Sequence, residues 1–470
     1  MATIRTNFIY SVVLVLSNYL FPLLVYPYVS RVLGVANIGL CNFIDGIINY
    51  FILFSMMGIN VVGIREVAKE KGDRTKLSNC FQDIIRLNLL ATSIVLIILI
   101  ALMFTVPRLE AHRDLMWIGV FKLLANVFLI EWFYKGMEEF RFITFRSIII
   151  KTICLIGIFI FVNDESDYRE YYFFMCAMYA INAFFNWGYL RRFISFSFFK
   201  GDISRYSKTI LIMGSYSILT SMYTTFNIAF LGLVSSDTEV GYYTTAVKLY
   251  SIIMALYSAF TGVMLPRMSA LVAENRIGDF NNLLIKSNKI LFKFTLPLIV
   301  YTIIFSPEII QIISGTGYEG AVCPMRLVMP LMLIIGYEQI IIVQILMPLK
   351  KDKYILINSI IGAFTGIILN LLLVPSMKSV GSAIVWGASE IIVMISAQFF
   401  VYKLIKKGIP LRLFIRESFY VFPLFLALVG LYCLYHYNFM GMIEYIILGG
   451  CMLGVHYIIS CGNLLKFRYA

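Results

Sequence analysis

The sequence predicts an all-α protein that crosses a lipid bilayer many times, and three observations predict it. The 470 residues are 60% hydrophobic and only 14% charged, whereas a soluble domain is about half apolar and roughly a quarter charged. The mean hydropathy is +0.86. Apolar stretches of about 20 residues, the length of a helix that spans hydrocarbon, recur from one end of the chain to the other. Lipid offers no partner to a free backbone N–H or C=O, so such stretches are helical.

Read in order, about fourteen stretches qualify. They cover 8–29, 38–63, 81–105, 115–134, 142–162, 170–190, 209–233, 240–264, 289–313, 327–348, 354–374, 380–402, 417–435 and 441–461. The first is too long for the apolar part of a signal peptide, contains Pro22 and Pro27, and precedes no small-x-small cleavage site, so it is expected to remain as a span. Its prolines predict a bent helix. The longest loops, 306–326 on one side and 64–80 and 265–288 on the other, are too short to fold alone. Whatever the protein does is expected to happen within the membrane.

Basic residues orient the spans. With the N-terminus inside, the inner segments together with the inner ends of the spans hold 30 of the 39 Lys+Arg, the outer loops 6 and the rest of the spans 3. That asymmetry predicts both termini in the cytoplasm. The net charge of +13 is then topological and faces anionic lipid, and no nucleic-acid partner is expected. Seven of the eight cysteines (Cys41, Cys80, Cys154, Cys176, Cys433, Cys451, Cys461) lie in or beside spans and only Cys323 lies outside, so no disulfide framework is expected. His112, His436 and His456 make no metal spacing, and neither metal nor cofactor is expected.

The chain also repeats itself. A shift of 202 residues lays Gly39 on Gly241, Arg65 on Arg267 and the second span on the eighth, and after four extra residues Gly72-Asp73 is matched by Gly278-Asp279. An even number of spans separates the copies, so they enter the membrane in the same direction. Parallel repeats imply two lobes related by an axis along the membrane normal.

The stretches YPYVSRVLGVANIGLCNF (26–43), EWFYKGMEEFRFITFRSIIIK (131–151) and LPRMSALVAENRIGDF (265–280) resemble the oligosaccharide-lipid flippases. So does the C-terminal run from GYEGAVCPMRLVMP through VGSAIVWGASE. These flippases are the polysaccharide and O-antigen exporters of the multidrug/oligosaccharidyl-lipid/polysaccharide exporter superfamily. The resemblance covers most of the chain and is weakest after about residue 410. It implies two pseudo-symmetric six-helix lobes, 1–200 and 201–410, around a V-shaped central cavity, with two further spans in 411–470. It also implies that the chain flips undecaprenyl-pyrophosphate-linked sugar units outward across a bacterial inner membrane for surface polysaccharide assembly. Other polysaccharide-assembly proteins are candidate partners.

Charges at mid-bilayer cost at least ~2.5–3.5 kcal/mol each, so they are candidates for function. Asp45 lies midway along the second span with Asn42 and Asn49 on the same helical face. Lys248 lies in the repeat-related eighth span, on a face with Thr244 and Ser251, which the shift pairs with Asn42 and Asn49. Both faces are expected to line the central cavity. Lys248 is read either as an anion site for pyrophosphate or as one half of an inter-lobe ion pair with Asp45. Asp45 tunes that site, binds a coupling cation or gates. Lys122, with Asn126 one turn on, is a second cavity cation or a partner for Asp45. Arg31, in SRVLG at the outer end of the first span, either receives the pyrophosphate on release or snorkels to headgroups. Arg146 and Lys151 are expected to snorkel on the inner side. Glu338, beside Gln339 in the tenth span, and Glu390 in the twelfth are candidates for coupling to a proton or sodium ion or for structural pairing.

No G-x-x-x-x-G-K-[ST] occurs, so hydrolysis of ATP by this chain is not expected. Two alternatives remain beside the flippase. A cation-coupled drug exporter of the same superfamily would favour an acidic cavity, against Lys122 and Lys248. A membrane polymerase or glycosyltransferase would need a sizeable loop bearing catalytic groups, which is absent; the chain is not expected to be an enzyme.

Overall fold

Backbone that cannot bond to water must bond to itself, and the computed structural model resolves that demand with helices alone among the described residues, 4–195 and 204–465. The helices run α1 (Ile4–Met56), α2 (Ile59–Glu70), α3 (Arg74–Thr105), α4 (Pro107–Glu110), α5 (Arg113–Val127), α6 (Glu131–Gly136), α7 (Phe140–Phe161), α8 (Tyr168–Leu190), α9 (Ser204–Thr224) and α10 (Phe226–Val234). There follow α11 (Asp237–Ala273), α12 (Ile277–Ile304), α13 (Ser306–Ser314), α14 (Val322–Val328), α15 (Leu331–Gln339), a π-helix (Ile340–Leu346), α16 (Asp352–Ile405), α17 (Leu411–His436) and α18 (Met442–Leu465).

Among the described residues, nine helices are long and apolar enough to cross a membrane, or eleven if two bent pairs each make one span. The pairs are α9–α10, bent by 52°, and α12–α13, bent by 79°. The protein is a multi-pass membrane protein. Two of the nine are far longer than a bilayer is thick: Ile9–Met56 has 48 residues and Asp352–Ile405 has 54, where about 20 suffice. Each contains one break. In α1 it falls at Gly34, whose φ of 71° suits a residue without Cβ. In α16 it falls at Lys378, with φ 51° and ψ −126°. With each long helix crossing twice about its break, and with α8 added, the set is consistent with fourteen crossings.

The helices cluster into two compact units, Met1–Gly241 and Tyr242–Ala470. The lobe boundary expected at 200/201 lies outside the described residues, as does the side chain of Cys461. In the first unit, α1 packs along α3, α5 and α7, and α5 along α8. An aromatic core forms where Trp132 stacks on Phe81 at 5.7 Å. Gly63 admits that indole, since a Cβ there would lie 2.4 Å from Trp132 Cε3. In the second unit α12 packs along α15 and α17, and α16 along α14 and α15. Phe305 stacks on Tyr445 at 4.2 Å, against Gly449.

Polar ends of helices are tied off locally. Asp73 caps α3 by accepting from the Thr75 and Lys76 backbone N–H groups at 2.9 and 3.1 Å. These bonds, with the Lys76 amide foremost, hold its carboxyl below the usual aspartate range. Asp167 accepts from the amides of Asn163 and Asp164 at 2.8 and 2.9 Å and is held low for the same reason.

Candidate functional site

In the first unit, Asp45 and Asn49 stand one turn apart on α1 and present one face. Lys122 reaches them from α5. Its ammonium donates to Asp45 Oδ1 at 2.6 Å and to Asn49 Oδ1 at 2.8 Å, and Asn49 Nδ2 donates to Asp45 Oδ2 at 2.9 Å. The Tyr179 ring of α8 lies 4.6 Å from the ammonium. Lys122 is 3% exposed, so the charge is removed from solvent, and the carboxylate is what makes that tolerable. Asp45 therefore leaves Lys122 little uncompensated charge to offer an incoming anion. Asn42 lies a turn earlier with its amide bonded to Ile38 O at 2.7 Å, and Asn126 is buried a turn beyond Lys122. Arg31 is exposed and donates to Pro27 O at 2.7 Å, folding back along α1.

In the second unit, Lys248 is half-buried on α11, Thr244 is fully buried, and Ser251 donates to Val247 O at 2.8 Å. Further along α11, Thr261 donates to Gln339 Oε1 at 2.9 Å and Gln339 Nε2 donates to Ser258 Oγ at 3.2 Å. That amide fixes α15 to the small, polar side of α11. Glu338, beside it, points to Glu390 of α16, and the two buried carboxyls are within hydrogen-bonding reach. Trp386 Nε1 donates to Glu390 Oε1 at 2.9 Å, and Tyr250 meets the Trp386 ring edge-on at 5.0 Å. The helix widens to a π turn immediately after Gln339, a departure that recurs at functional sites.

Two residues expected to snorkel do not. Arg146 is 6% exposed and donates to Glu131 Oε1 at 2.9 Å and to Asn186 Oδ1. Lys151 donates to Ser17 Oγ at 2.9 Å and Asn18 Oδ1 at 2.5 Å, both on α1. In each case a neighbouring helix supplies polar partners at the depth of the charge, so the side chain has no need to reach the interface. Sequence reasoning also missed a clasp in the first unit. Arg108 binds Asp237 Oδ1 at 2.5 Å, Gly232 O at 3.1 Å and Ser235 O at 3.4 Å. Loop charges 129 positions apart carry no periodic signal. Trp386 had one, four residues before Glu390 on a single helix.

Residues 4–272 match the family described as polysaccharide biosynthesis protein. That match spans more than half of the chain and includes the Asp45–Asn49–Lys122 cluster and Lys248. The chain belongs to this family. Among curated proteins it is 26% identical over 398 residues to the "Putative O-antigen transporter" of Escherichia coli (strain K12), covering 83% of this chain and 95% of that one. Among solved structures it shares its fold with the lipid II flippase MurJ in an inward closed conformation. The TM-score is 0.74 at 14% identity, over 98% of this chain and all of that one. An inward-facing multidrug resistance transporter of the MATE family follows with a TM-score of 0.60 at 15% identity, over 84% of this chain and 96% of that one. This member of the polysaccharide biosynthesis family thus shares one fold with that flippase over 98% of its length.

Proposed function

We propose that this chain flips an oligosaccharide linked to undecaprenyl pyrophosphate from the inner to the outer leaflet of a bacterial cytoplasmic membrane. It works by alternating access, with both termini in the cytoplasm, and makes or breaks no covalent bond. The observation that carries the reading is the near-complete cover of the curated relative, 95% of whose length aligns with this chain. Membership of the polysaccharide family and the fold shared with a lipid II flippase support the same substrate class. The drug-exporter reading is less well supported, since the overlay on the MATE transporter is poorer and covers less of the chain.

Within this reading the repeat divides the chain into lobes 1–200 and 201–410 and a pair of helices in 411–470. Lys248 is the anion site. What supports it is its place on the one small, polar face of α11, with Thr244 and Ser251, and the engagement of Lys122 with Asp45. Asn42 and Asn49 serve the sugar side of the path, and Arg31 the outer end. Glu338 and Glu390 are the coupling site: a hydrogen bond between two carboxyl groups holds a proton, and a proton or sodium ion exchanged there would bias the cycle. The membrane potential also acts, by about 2.3 kcal/mol per charge per 100 mV, in favour of an anion leaving a negative interior.

The test uses liposomes carrying the purified protein and a short-chain pyrophosphate-linked oligosaccharide, with wild type compared against Lys248→Gln. Protein-dependent flipping that falls at least tenfold in the variant supports the substrate class and the anion site together. Wild-type flipping with an unaffected variant retains the substrate class and removes Lys248 from it. Transport of lipophilic cations without any glycan flipping overturns the reading in favour of a drug exporter.

A further inference from the structure

A lipid-facing groove lies at one end of the α7–α8 pair, on the first unit and away from the Asp45 cluster. It has two arms. One, of about 570 Å³, runs along α7 past Phe145 and Ile149. The other, of about 820 Å³, runs around the end of α8 past Phe184 and Trp187. Phe142, Phe185 and Tyr189 belong to both. Phe142 and Tyr189 stack at 4.0 Å and form the ridge between the arms.

The arms are apolar, and their outer walls are open: Phe184 is 76% exposed and Ile149 56%. In a membrane helix such surface meets hydrocarbon. The mouth is cationic. Arg141 enters one arm and Arg191 and Arg192 the other. The Arg192 guanidinium lies 5.1 Å from the centre of the Tyr189 ring, above the ridge. Among the described residues none of these three arginines is in an ion pair. Glu139, the one carboxylate among the described residues that line the mouth, accepts from the Tyr189 hydroxyl at 3.3 Å. Arg146, on the inner wall, is already engaged by Glu131. Three cations against one anion leave the mouth positive, at the depth where helix ends meet headgroups.

We propose that this groove is a binding site for an anionic diacyl phospholipid of the phosphatidylglycerol class. The phosphodiester lies among Arg141, Arg191 and Arg192, where guanidinium groups bind phosphate oxygens in pairs. The two acyl chains straddle the Phe142–Tyr189 ridge, one in each arm. A single-chain polyprenyl phosphate would fill one arm and leave the other to bulk lipid, so the two-armed shape favours the diacyl lipid. On the proposed orientation the site opens to the cytoplasmic leaflet, where basic pockets between helices take anionic headgroups. The inference rests on the protein crossing the membrane and is independent of what it flips.

The experiment takes the full chain, purified and stripped of lipid in neutral detergent. Thermal unfolding and native mass spectrometry are followed as phosphatidylglycerol, phosphatidylcholine with the same chains, lysophosphatidylglycerol, a short polyprenyl phosphate or inorganic phosphate is added. Phosphatidylglycerol is expected to raise the melting temperature and to bind at least tenfold more tightly than the others. Arg141→Gln/Arg191→Gln/Arg192→Gln is expected to remove that preference, while Lys353→Gln, in the first turn of α16 on the second unit, retains it. Should the triple variant fail to fold, Phe185→Ala, at an exposed position, is expected to weaken binding of the diacyl lipid toward that of the lysolipid. Equal binding of the two diacyl lipids overturns the proposal. So does tighter binding of the polyprenyl phosphate, an effect reproduced by inorganic phosphate alone, or a preference that survives the triple substitution.

Discussion

Gly39 of α1 and Gly241 of α11, which a shift of 202 residues superposes in the sequence, lie against one another backbone to backbone. A Cβ on Gly39 would lie 2.6 Å from Gly241 N and only 1.7 Å from Asp237 O, and one on Gly241 would lie 2.3 Å from Val35 O. The atoms in the way are main-chain atoms that cannot rotate aside. Gly39→Ala and Gly241→Ala are each expected to cost about 1–3 kcal/mol or more by overpacking, read as a lower melting temperature in detergent. Gly72→Ala and Gly278→Ala, where a Cβ would meet nothing within 4 Å, are expected to leave it unchanged.

Lys122 and Asp45 are coupled in the same sense. Removing Asp45 leaves the buried Lys122 charge uncompensated, at a cost of about 3–5 kcal/mol, and removing Lys122 leaves a half-buried carboxylate. Lys122→Met and Asp45→Asn are each expected to reduce folded yield sharply. The double variant is expected to recover much of it, since no charge remains. Melting temperatures of the four proteins of the cycle give the coupling, and additive losses would show that the contact contributes nothing.

For Glu338 and Glu390 the expected signature is in transport. Gln in place of either glutamate keeps an N–H with which to hold the remaining carboxyl, so Glu338→Gln and Glu390→Gln should fold. What they should lose is the dependence of flipping rate on a pH gradient across the liposome. A gradient response equal to wild type in both variants would remove the pair from coupling.

Arg108 holds Asp237 and two carbonyls at once, a fork geometry that an ammonium does not reproduce. Arg108→Lys is accordingly expected to lose nearly as much thermal stability as Arg108→Gln, about 1–3 kcal/mol, and rescue by lysine would show that charge alone suffices.

Asp73 and Asp167 set a pH dependence of known sign. Each carboxyl titrates lower in the folded chain than in the unfolded one, because backbone amides bond its charged form. Their contribution is therefore present above the ordinary aspartate value of about 4 and lost as pH falls through the folded value. Asp73→Asn and Asp167→Asn should flatten the acid side of a stability-against-pH curve and lower its neutral plateau, where the wild-type carboxylates contribute.

Much of this fold was legible because lipid makes hydropathy and backbone satisfaction act together. So were the breaks: Gly34 falls between the stretches 8–29 and 38–63, and Lys378 between 354–374 and 380–402. Pro22 and Pro27 drew attention in the first span, yet both lie inside α1 and the departure from helix comes at Gly34. The positive φ at Lys378 itself carries no sequence signal, since lysine does not favour that backbone. The polar faces of α1 and α11 could be read from periodicity within one helix. The pairing of Glu338 with Glu390 could not, because it joins helices whose contact is tertiary. Arg146 and Lys151 were misread for the same reason: their depth was visible and their partners, Glu131 and Asn18, were not.

The ion pair in the first unit also constrains how the chain is made. Lys122 binds Asp45 across 77 residues. At about 5–20 residues per second, a ribosome delivers the lysine roughly 4–15 s after the aspartate. During that interval Asp45 travels into the bilayer as an uncompensated acid, at about 2.5–3.5 kcal/mol. The apolar residues beside it, Ile44, Ile47 and Ile48, have to hold the nascent segment in place until its counter-ion emerges. The residues flanking Asp45 are thus selected twice, once for the finished bundle and once for a few seconds of waiting at the translocon.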